Sequence, residues 1–374
     1  MWSETNAELK RILQITPVYF PSIGGIEDVV RSLAAGVTAL GWECDVADIR
    51  TSYSSLHHDK IDSSNIYRVP LYGHRLIGVA PSLRRLVAKY DFIHVHDPQL
   101  AALSINAYVA SGRKPMVLST HGGYFHTSKH SLLKMAHSRM TAPWIAKAYD
   151  RILASSESDA ERFAGISGRV ECVANGVNIE RFASVEPGAG QNYLSWIYWG
   201  RFATNKRLDL VIRYAGYARS RGYPVRLRIC GSDFDGIRGS LIELIEKCGL
   251  SDHVEIVTTP TDQQLRALIR ESTVFVTASE FEGFGLSVIE AMAAGLPVIC
   301  RDIEPLSGFL KSELQGVRLS FDESADDLAR LLQFISGAPD TYQRGAALNR
   351  SAANAYSWKT AIDGFVDVYK RLLQ

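Results

Sequence analysis

The chain has 374 residues, of which 46% are hydrophobic and 22% charged, a length suited to two domains of roughly 150 to 200 residues with sizeable cores. That apolar content, with only 5 Cys and 13 Pro, excludes collagen-like, disulfide-scaffold and disordered classes. Its 41 Lys and Arg against 40 Asp and Glu leave a net charge of +1, which argues against a nucleic-acid binder, because phosphate contacts need a cationic excess.

Read for period, the chain alternates short β-branched runs with helical stretches. ILQIT (12 to 16) predicts a strand that leads through Pro17 and Pro21 to Gly24-Gly25 and a helix over 27 to 40. FIHVH (92 to 96) precedes a helix at 98 to 110, MVLST (116 to 120) leads into a loop and a long helix, and RILAS (151 to 155) follows. Such βαβ alternation implies a parallel, doubly wound sheet. The pattern restarts at WIYWG (196 to 200) with a helix at 206 to 220. It continues with RLRICG (226 to 231) and a helix at 237 to 248, VEIVT (254 to 258) and a helix at 262 to 270, and VFVTAS (274 to 279) and a helix at 286 to 294. PVICRD (297 to 302) closes the run. The fold class is therefore α/β, two Rossmann-like units expected to face a central cleft at the carboxyl ends of both sheets. The boundary is expected within ANGVNIERF (174 to 182), where Asn175-Gly176 suits a tight turn, so the domains read 1–176 and 177–355.

The cysteines Cys44, Cys172, Cys230, Cys248 and Cys300 are widely spaced with no C-x-x-C pair, which fits a reducing cytosol. The start MWSETNAELK is polar where a signal peptide is basic and then apolar, and no stretch reaches the roughly 18 apolar residues of a membrane span. A cytoplasmic chain, soluble or peripheral on a membrane, is expected.

Four segments carry chemistry. In EFEGFGLSVIEAMAAGLPVI (280 to 299), the Gly283-Phe284-Gly285 loop follows a strand and opens a helix at Leu286, an arrangement that offers N–H groups and a positive dipole end to a phosphate. Glu282 and Glu290 frame it, and carboxylates beside a phosphate serve best on sugar or ribose hydroxyls; two ordinary surface glutamates around a turn are the plain alternative. In YWGRFATNKRLDLVI (198 to 212), Arg201 directly follows a strand and Lys206 stands at the mouth of the next helix, where two cations clamp a diphosphate unless they are merely solvated. TPVYFPSIGGIEDVV (16 to 30) holds Gly24 and Gly25 but is no G-x-G-x-x-G fingerprint, and a Gly pair that only turns the chain fits equally. LSTHGGYFHTSKH (118 to 130) puts His121 at a strand end, where an imidazole serves a sugar hydroxyl or the fold alone. His94 and His96 alternate with Ile93 and Val95, so they share one side of a strand. No His, Cys or carboxylate spacing matches a structural zinc site.

E-x7-E followed by A-M-A-A-G-L-P-V resembles the signature of the retaining GT-B glycosyltransferases of family 4, which transfer sugars from nucleotide donors. The resemblance covers nearly the whole chain and implies that YSWKTAIDGFVDVYKRLL (356 to 373) is the final helix that crosses back onto the first domain. It implies that Glu290 holds the nucleotide ribose, that Glu282 lies close to the donor sugar, and that amides around Phe284, Gly285 and Leu286 contact sugar and diphosphate. Arg201 and Lys206 then stabilise the leaving diphosphate, Gly24 and Gly25 reach the donor diphosphate, and His121 contacts the donor sugar near the reacting carbon. His96, Asp97 and Tyr124 are assigned to the acceptor side, and Pro260 to the nucleobase, although VTTPTDQQL (257 to 265) lacks the family's usual Gly there. The implied course is front-face attack with no enzyme nucleophile, no cofactor and no metal, two cations and a helix terminus taking the metal's place. The missing D-x-D motif agrees.

FPSIGGIEDVV, STHGGYFHT and NKRLDLVI are most similar to the α-mannosyltransferases of xanthan- and acetan-type exopolysaccharide assembly. That likeness implies GDP-mannose as donor and a glucose-glucose disaccharide on a polyprenyl diphosphate as acceptor, at the inner face of the cytoplasmic membrane. UDP-glucose or UDP-N-acetylglucosamine with another acceptor, and a non-catalytic nucleotide-sugar-binding partner, stay open. Charge adds one feature: residues 50 to 151 hold 14 Lys and Arg, 5 Asp and Glu, and nine of the ten His. Within it, 128 to 151 interleaves Lys129, Lys134, Arg139, Lys147 and Arg151 with apolar residues including Trp144, and 74 to 90 adds more cations. This pattern reads as a basic amphipathic surface for an anionic leaflet or as an ordinary helix with a solvated side.

Overall fold

The computed structural model describes residues 10–22, 25–96, 101–121, 144, 147–165, 167–188, 194–335 and 339–374. The segment 128 to 143, with Gly24, Asp97 and Tyr124, lies outside these described residues. The chain divides into two compact units, residues 1–176 with 358–374, and residues 177–357.

The first unit is built on an eight-stranded sheet of β1 (Arg11–Thr16), β2 (Glu43–Arg50), β3 (His57–Ile61), β4 (Ser64–Pro70), β5 (Phe92–His96), β6 (Met116–Ser119), β7 (Arg151–Ala154) and β8 (Val170–Cys172). The order is β3-β4-β2-β1-β5-β6-β7-β8, and every pairing is parallel except β3 with β4. β1 and β5 are buried along nearly their whole length, with Gln14, His94 and His96 among the buried residues, as strands in a doubly covered parallel sheet should be. β2, β3, β4 and β8 were not expected from the sequence. β2 reads ECDVADIR, with charges that argue for solvent, yet its two aspartates are buried because partners converge on them. Asp45 accepts from Tyr90 Oη (2.6 Å) and Asn65 N (2.8 Å), and Asp48 from Arg68 (2.8 Å), Arg50 (2.8 Å) and Tyr53 Oη (2.6 Å).

Helix α1 (Gly25–Ala39) and the last helix, Trp358–Leu373, cover one face of this sheet, where Val30, Leu33, Phe365 and Tyr369 share a core with Ile12 and Phe92. They touch at Gly36, where a β-carbon would lie 2.0 Å from Ile362 Cδ1. The last helix thus belongs to the first unit. The two crossings run side by side: a β-carbon on Gly176 would lie 2.3 Å from the Trp358 ring, and Val177 N donates to Tyr356 O at 2.7 Å.

The second unit is an all-parallel six-stranded sheet of β9 (Leu194–Trp199), β10 (Val225–Gly231), β11 (Val254–Thr258), β12 (Val274–Thr277), β13 (Val298–Cys300) and β14 (Gly316–Arg318), in the order β11-β10-β9-β12-β13-β14. The parallel winding changes direction between β1 and β5 in the first unit and between β9 and β12 in the second, and the carboxyl ends at such a point are where open α/β sheets bind ligands. β9 and β10 end against each other. Gly200 and Gly231 both have φ 149°, and a β-carbon on Gly231 would lie 1.7 Å from Gly200 O. Because that neighbour is backbone, Gly231→Ala should lower unfolding free energy by about 3 kcal/mol or more, measured by urea titration of the purified chain.

Candidate active site

At the second unit's reversal point, the loop after β9 is bound to the loop after β12. Glu280 N donates to Asn205 O (2.9 Å) and Asn205 Nδ2 to Phe281 O (3.1 Å). Arg207, at φ 49°, binds Asp209 (3.0 and 2.9 Å) and also Glu280; these carboxylates raise its pKa, and against the cost of burial its guanidinium holds that of Asp209 below the usual range. Between these ties Lys206 Nζ donates to both oxygens of Glu282, at 2.6 and 2.7 Å. Their side chains are 14% and 9% exposed, so each charge depends on the other for compensation. Ser279 Oγ also donates to Glu282 Oε1, at 2.8 Å. The two segments that carry the sequence signals are therefore one structure.

Arg201 follows β9 and is exposed, its guanidinium 4.5 Å from the centre of the Phe234 ring. Tyr198 Oη donates to Arg201 O at 3.0 Å, and burial, with the charge of Glu282, raises the phenol's pKa and keeps it a donor. Gly285 precedes the helix Leu286–Ala294 at φ 83° with no side chain capping the first turn. Its α-carbon faces Leu306 and Phe309, which a β-carbon would approach to 2.7 and 3.0 Å, and Phe284 packs in the same cluster against Phe309 and Tyr356. An uncapped helix start in the same loop as Glu282, the partner of Lys206, suits an anion.

Glu290, one turn into that helix, accepts from Trp199 Nε1 at 2.8 Å and faces Arg181 Nη1 at 3.5 Å. Arg181 also pairs with Asp262. Sequence reasoning missed Trp199, Arg181 and Asp262 as members of this site, although Arg181 and Trp199 stand inside segments it singled out as a boundary and a strand. Pro260 follows Thr259, which has φ 48° and donates its N–H to Gly231 O, and it precedes Thr261, the cap of the helix Asp262–Arg270.

In the first unit, β5 and β6 end in a row of imidazoles. His94 Nδ1 lies 2.6 Å from Tyr369 Oη and its Nε2 lies 2.7 Å from Ser119 Oγ, so the last helix holds it. His96 Nδ1 lies 3.0 Å from His121 Nε2, with the rings stacked. His94 and His96 are wholly buried, and burial holds both pKa values well below the usual histidine range. His96 Nε2 is buried without a hydrogen-bond partner. An orphaned N–H is rarer than an orphaned acceptor, so the His96 proton belongs on Nδ1, donates to His121 Nε2, and leaves the proton of a neutral His121 on its Nδ1. His96, assigned to the acceptor side from sequence, thus stands behind His121. His121 has φ 47°, a conformation that costs about 1–3 kcal/mol and concentrates at functional sites. Thr120 Oγ1, donating to Asp159, anchors the preceding residue. Gly25 begins α1, and a β-carbon there would meet nothing within 4 Å.

Among the described residues, no group of three His, Cys, Asp or Glu is placed to hold a metal ion. The unit with the Lys206–Glu282 pair presents cations and an uncapped helix start for phosphate, with carboxylates able to accept from hydroxyls.

Two doubly wound units with candidate groups at the carboxyl ends of both reversal points make up a fold of the GT-B class. Solved structures agree on the fold: sucrose-phosphate synthase from Thermosynechococcus elongatus (18% identity, TM-score 0.74, covering 97% of this chain and 99% of that one) and Anabaena HepE in complex with UDP and glucose (16%, 0.71, 96% and 99%). The family description "Glycosyltransferase Family 4" matches residues 23–181 and "Glycosyl transferases group 1" matches 181–349. Proteins named GDP-mannose:cellobiosyl-diphosphopolyprenol alpha-mannosyltransferase are similar over almost the full length. The one from Xanthomonas campestris is 30% identical, with 97% of each chain covered, and the one from Komagataeibacter xylinus is 29% identical, with 98% of this chain and 94% of that one covered. The chain belongs to the family 4 glycosyltransferases.

Proposed function

We propose that this enzyme transfers α-mannose, with retention, from GDP-mannose to cellobiosyl diphosphopolyprenol in exopolysaccharide assembly, working on the cytoplasmic face of the membrane. The names of relatives that match nearly end to end support the substrates. The observation that carries the chemistry is the Lys206–Glu282 pair at the mouth of an uncapped helix.

In this reading the second unit holds the donor. Glu290, already oriented by Trp199 and Arg181, accepts from the ribose hydroxyls, and Pro260 lies at the base. Arg201, the amides of Phe284, Gly285 and Leu286, and Lys206 take the diphosphate, with Gly24 and Gly25 contributing from the first unit. As the diphosphate arrives, Lys206 turns N–H donors from Glu282 toward phosphate, and Glu282 gains capacity for a hydroxyl of the mannose. The first unit serves the acceptor: His121, set by His96, stands near the reacting carbon, and Asp97 and Tyr124 meet the sugar. The leaving phosphate oxygen takes the acceptor proton as an oxocarbenium-like sugar forms, on the face that the diphosphate leaves. Fixed cations and amides stabilise the charge developing on that diphosphate, and the reaction needs no metal or cofactor.

The decisive experiment offers purified protein and synthetic cellobiosyl-diphospholipid separately to GDP-mannose, UDP-glucose and UDP-N-acetylglucosamine. A trisaccharide lipid should form with GDP-mannose alone; formation only from another donor, or nucleotide-sugar binding without turnover, defeats the reading. Calorimetry adds a second check: Glu290→Gln should weaken GDP binding by about tenfold or more, the worth of a charge-assisted hydrogen bond.

A further inference from the structure

Among the described residues, three large hydrophobic side chains of the second unit stand exposed, Phe234, Leu286 and Leu348, and Phe234 most of all, at 62%. A single exposed hydrophobic is ordinary, but the position of this one is fixed. The loop after β10 is bonded along its backbone to the loop after β9. Phe202 N donates to Ser232 O (2.7 Å), Phe234 N and Asp235 N donate to Phe202 O (3.2 and 3.1 Å), and Phe202 itself is wholly buried. Asp235 adds a side-chain tie, accepting from Thr204 N (2.8 Å) and Thr204 Oγ1 (3.1 Å). Asp233 accepts from Ile237 N (2.8 Å) and Arg238 N (3.3 Å) at the start of the helix Arg238–Lys247. Phe234 stands between these two aspartates, and its ring lies under the guanidinium of Arg201, the residue immediately before Phe202.

The two cations of this site are prepared in different ways. Lys206 donates to both oxygens of Glu282, so a phosphate has to draw it from a carboxylate. A ring face attracts a cation but has no oxygen to accept its N–H groups, and a guanidinium 4.5 Å from the ring centre lies within the range of that attraction. The contact also restricts a long side chain that would otherwise be ordered only when a ligand arrives, and such ordering opposes binding. Held this way, Arg201 is oriented without its donors being taken up by the group that orients it, and its planar fork suits the oxygens of a diphosphate.

We propose that Phe234 is a positioning residue: it acts through Arg201, setting the guanidinium for the diphosphate of the donor, and touches no part of the donor itself. The proposal rests on the reading that Arg201 meets that diphosphate, and it concerns the phosphates rather than the base or the acceptor.

Calorimetric titration of the full-length protein with GDP, and separately with UDP, tests it through a double-mutant cycle. The nucleotide that the unaltered protein binds more tightly is the probe throughout. Phe234→Leu, which keeps apolar bulk but removes the ring, should weaken its binding about fivefold, the scale of an exposed cation–π contact. Arg201→Met should weaken it about tenfold or more, the scale of a charge-assisted hydrogen bond. Both changes together should bind no more weakly than Arg201→Met alone. Phe234→Tyr, which keeps the ring face, should bind as the unaltered protein does. Every variant should keep the unaltered thermal midpoint, since both side chains are exposed. Unchanged binding in Phe234→Leu overturns the proposal. So does a further loss on adding Phe234→Leu to Arg201→Met, the result expected if the ring touches the donor directly, and so does weaker binding accompanied by a lowered midpoint, the result expected if the ring only supports the fold. The underlying reading fails differently. Full-strength binding by Arg201→Met removes Arg201 from the diphosphate, and binding of neither nucleotide overturns both readings. Tighter binding of UDP than of GDP counts against the guanine donor alone and leaves the cycle to be read with UDP.

Discussion

Lys206→Ala should lower turnover at least about 100-fold, the scale of losing one fixed group that stabilises transition-state charge. It should also destabilise the fold by about 3–5 kcal/mol, because Glu282, with a side chain only 9% exposed, loses the cation that compensates it. Ser279 remains as a donor to Glu282, which places the expected cost at the lower end. The two effects separate in Lys206→Met combined with Glu282→Gln. A neutral pair of similar volume should recover most of the stability in urea titration, while turnover stays low because no cation meets the diphosphate. Full turnover in Lys206→Ala would remove the phosphate role. Stability unchanged in that variant would show that the pair is not relied upon by the fold.

Acid should unfold the first unit early. His94 and His96 are wholly buried and held neutral, with pKa values well below those of the unfolded chain. Among the described residues the groups facing them are Tyr369, Ser119, Phe365, His121 and each other, none a carboxylate that could compensate a proton. Above about pH 6.5 both states carry neutral imidazole, and the stability is present in full. As pH falls below that value the unfolded chain takes up protons that the folded chain refuses, and each imidazole removes about 1.4 kcal/mol per pH unit until its folded value is reached. Thermal midpoints between pH 7.5 and about 5 should therefore fall steeply, and His96→Asn, which keeps an amide donor near Nδ1 but does not titrate, should flatten the slope. An unchanged slope in His96→Asn would contradict the neutral buried imidazole.

The strands flanking the reversal points were legible because they are short runs dominated by apolar and β-branched residues, the composition of a strand buried on both faces. β2 was not: ECDVADIR has the composition of a solvated segment, and its burial depends on Tyr90, Asn65, Arg68 and Tyr53, from elsewhere in the chain. The candidate site divides the same way. Glu282, Glu290, Arg201 and Lys206 stand out by residue type beside Gly-rich turns. That Lys206 pairs with Glu282, 76 positions on, and that Trp199 and Arg181 reach Glu290 across 91 and 109 positions, follows from no local pattern. His96 shows the limit most clearly. Its alternation with Ile93 and Val95 was visible, but whether that side of the strand meets solvent or core depends on what packs there. The answer is Tyr369 on His94 and His121 on His96.

By itself, then, the sequence determined two doubly wound units, a last helix that resembled a return to the first, and a set of carboxylates and cations at strand ends, because period and residue type are local properties. Tertiary structure alone decided which of those charges neutralise one another and which imidazoles are sealed from protons. A pair's strength depends on distance and on the water excluded around it, and both arise only when remote segments are brought together.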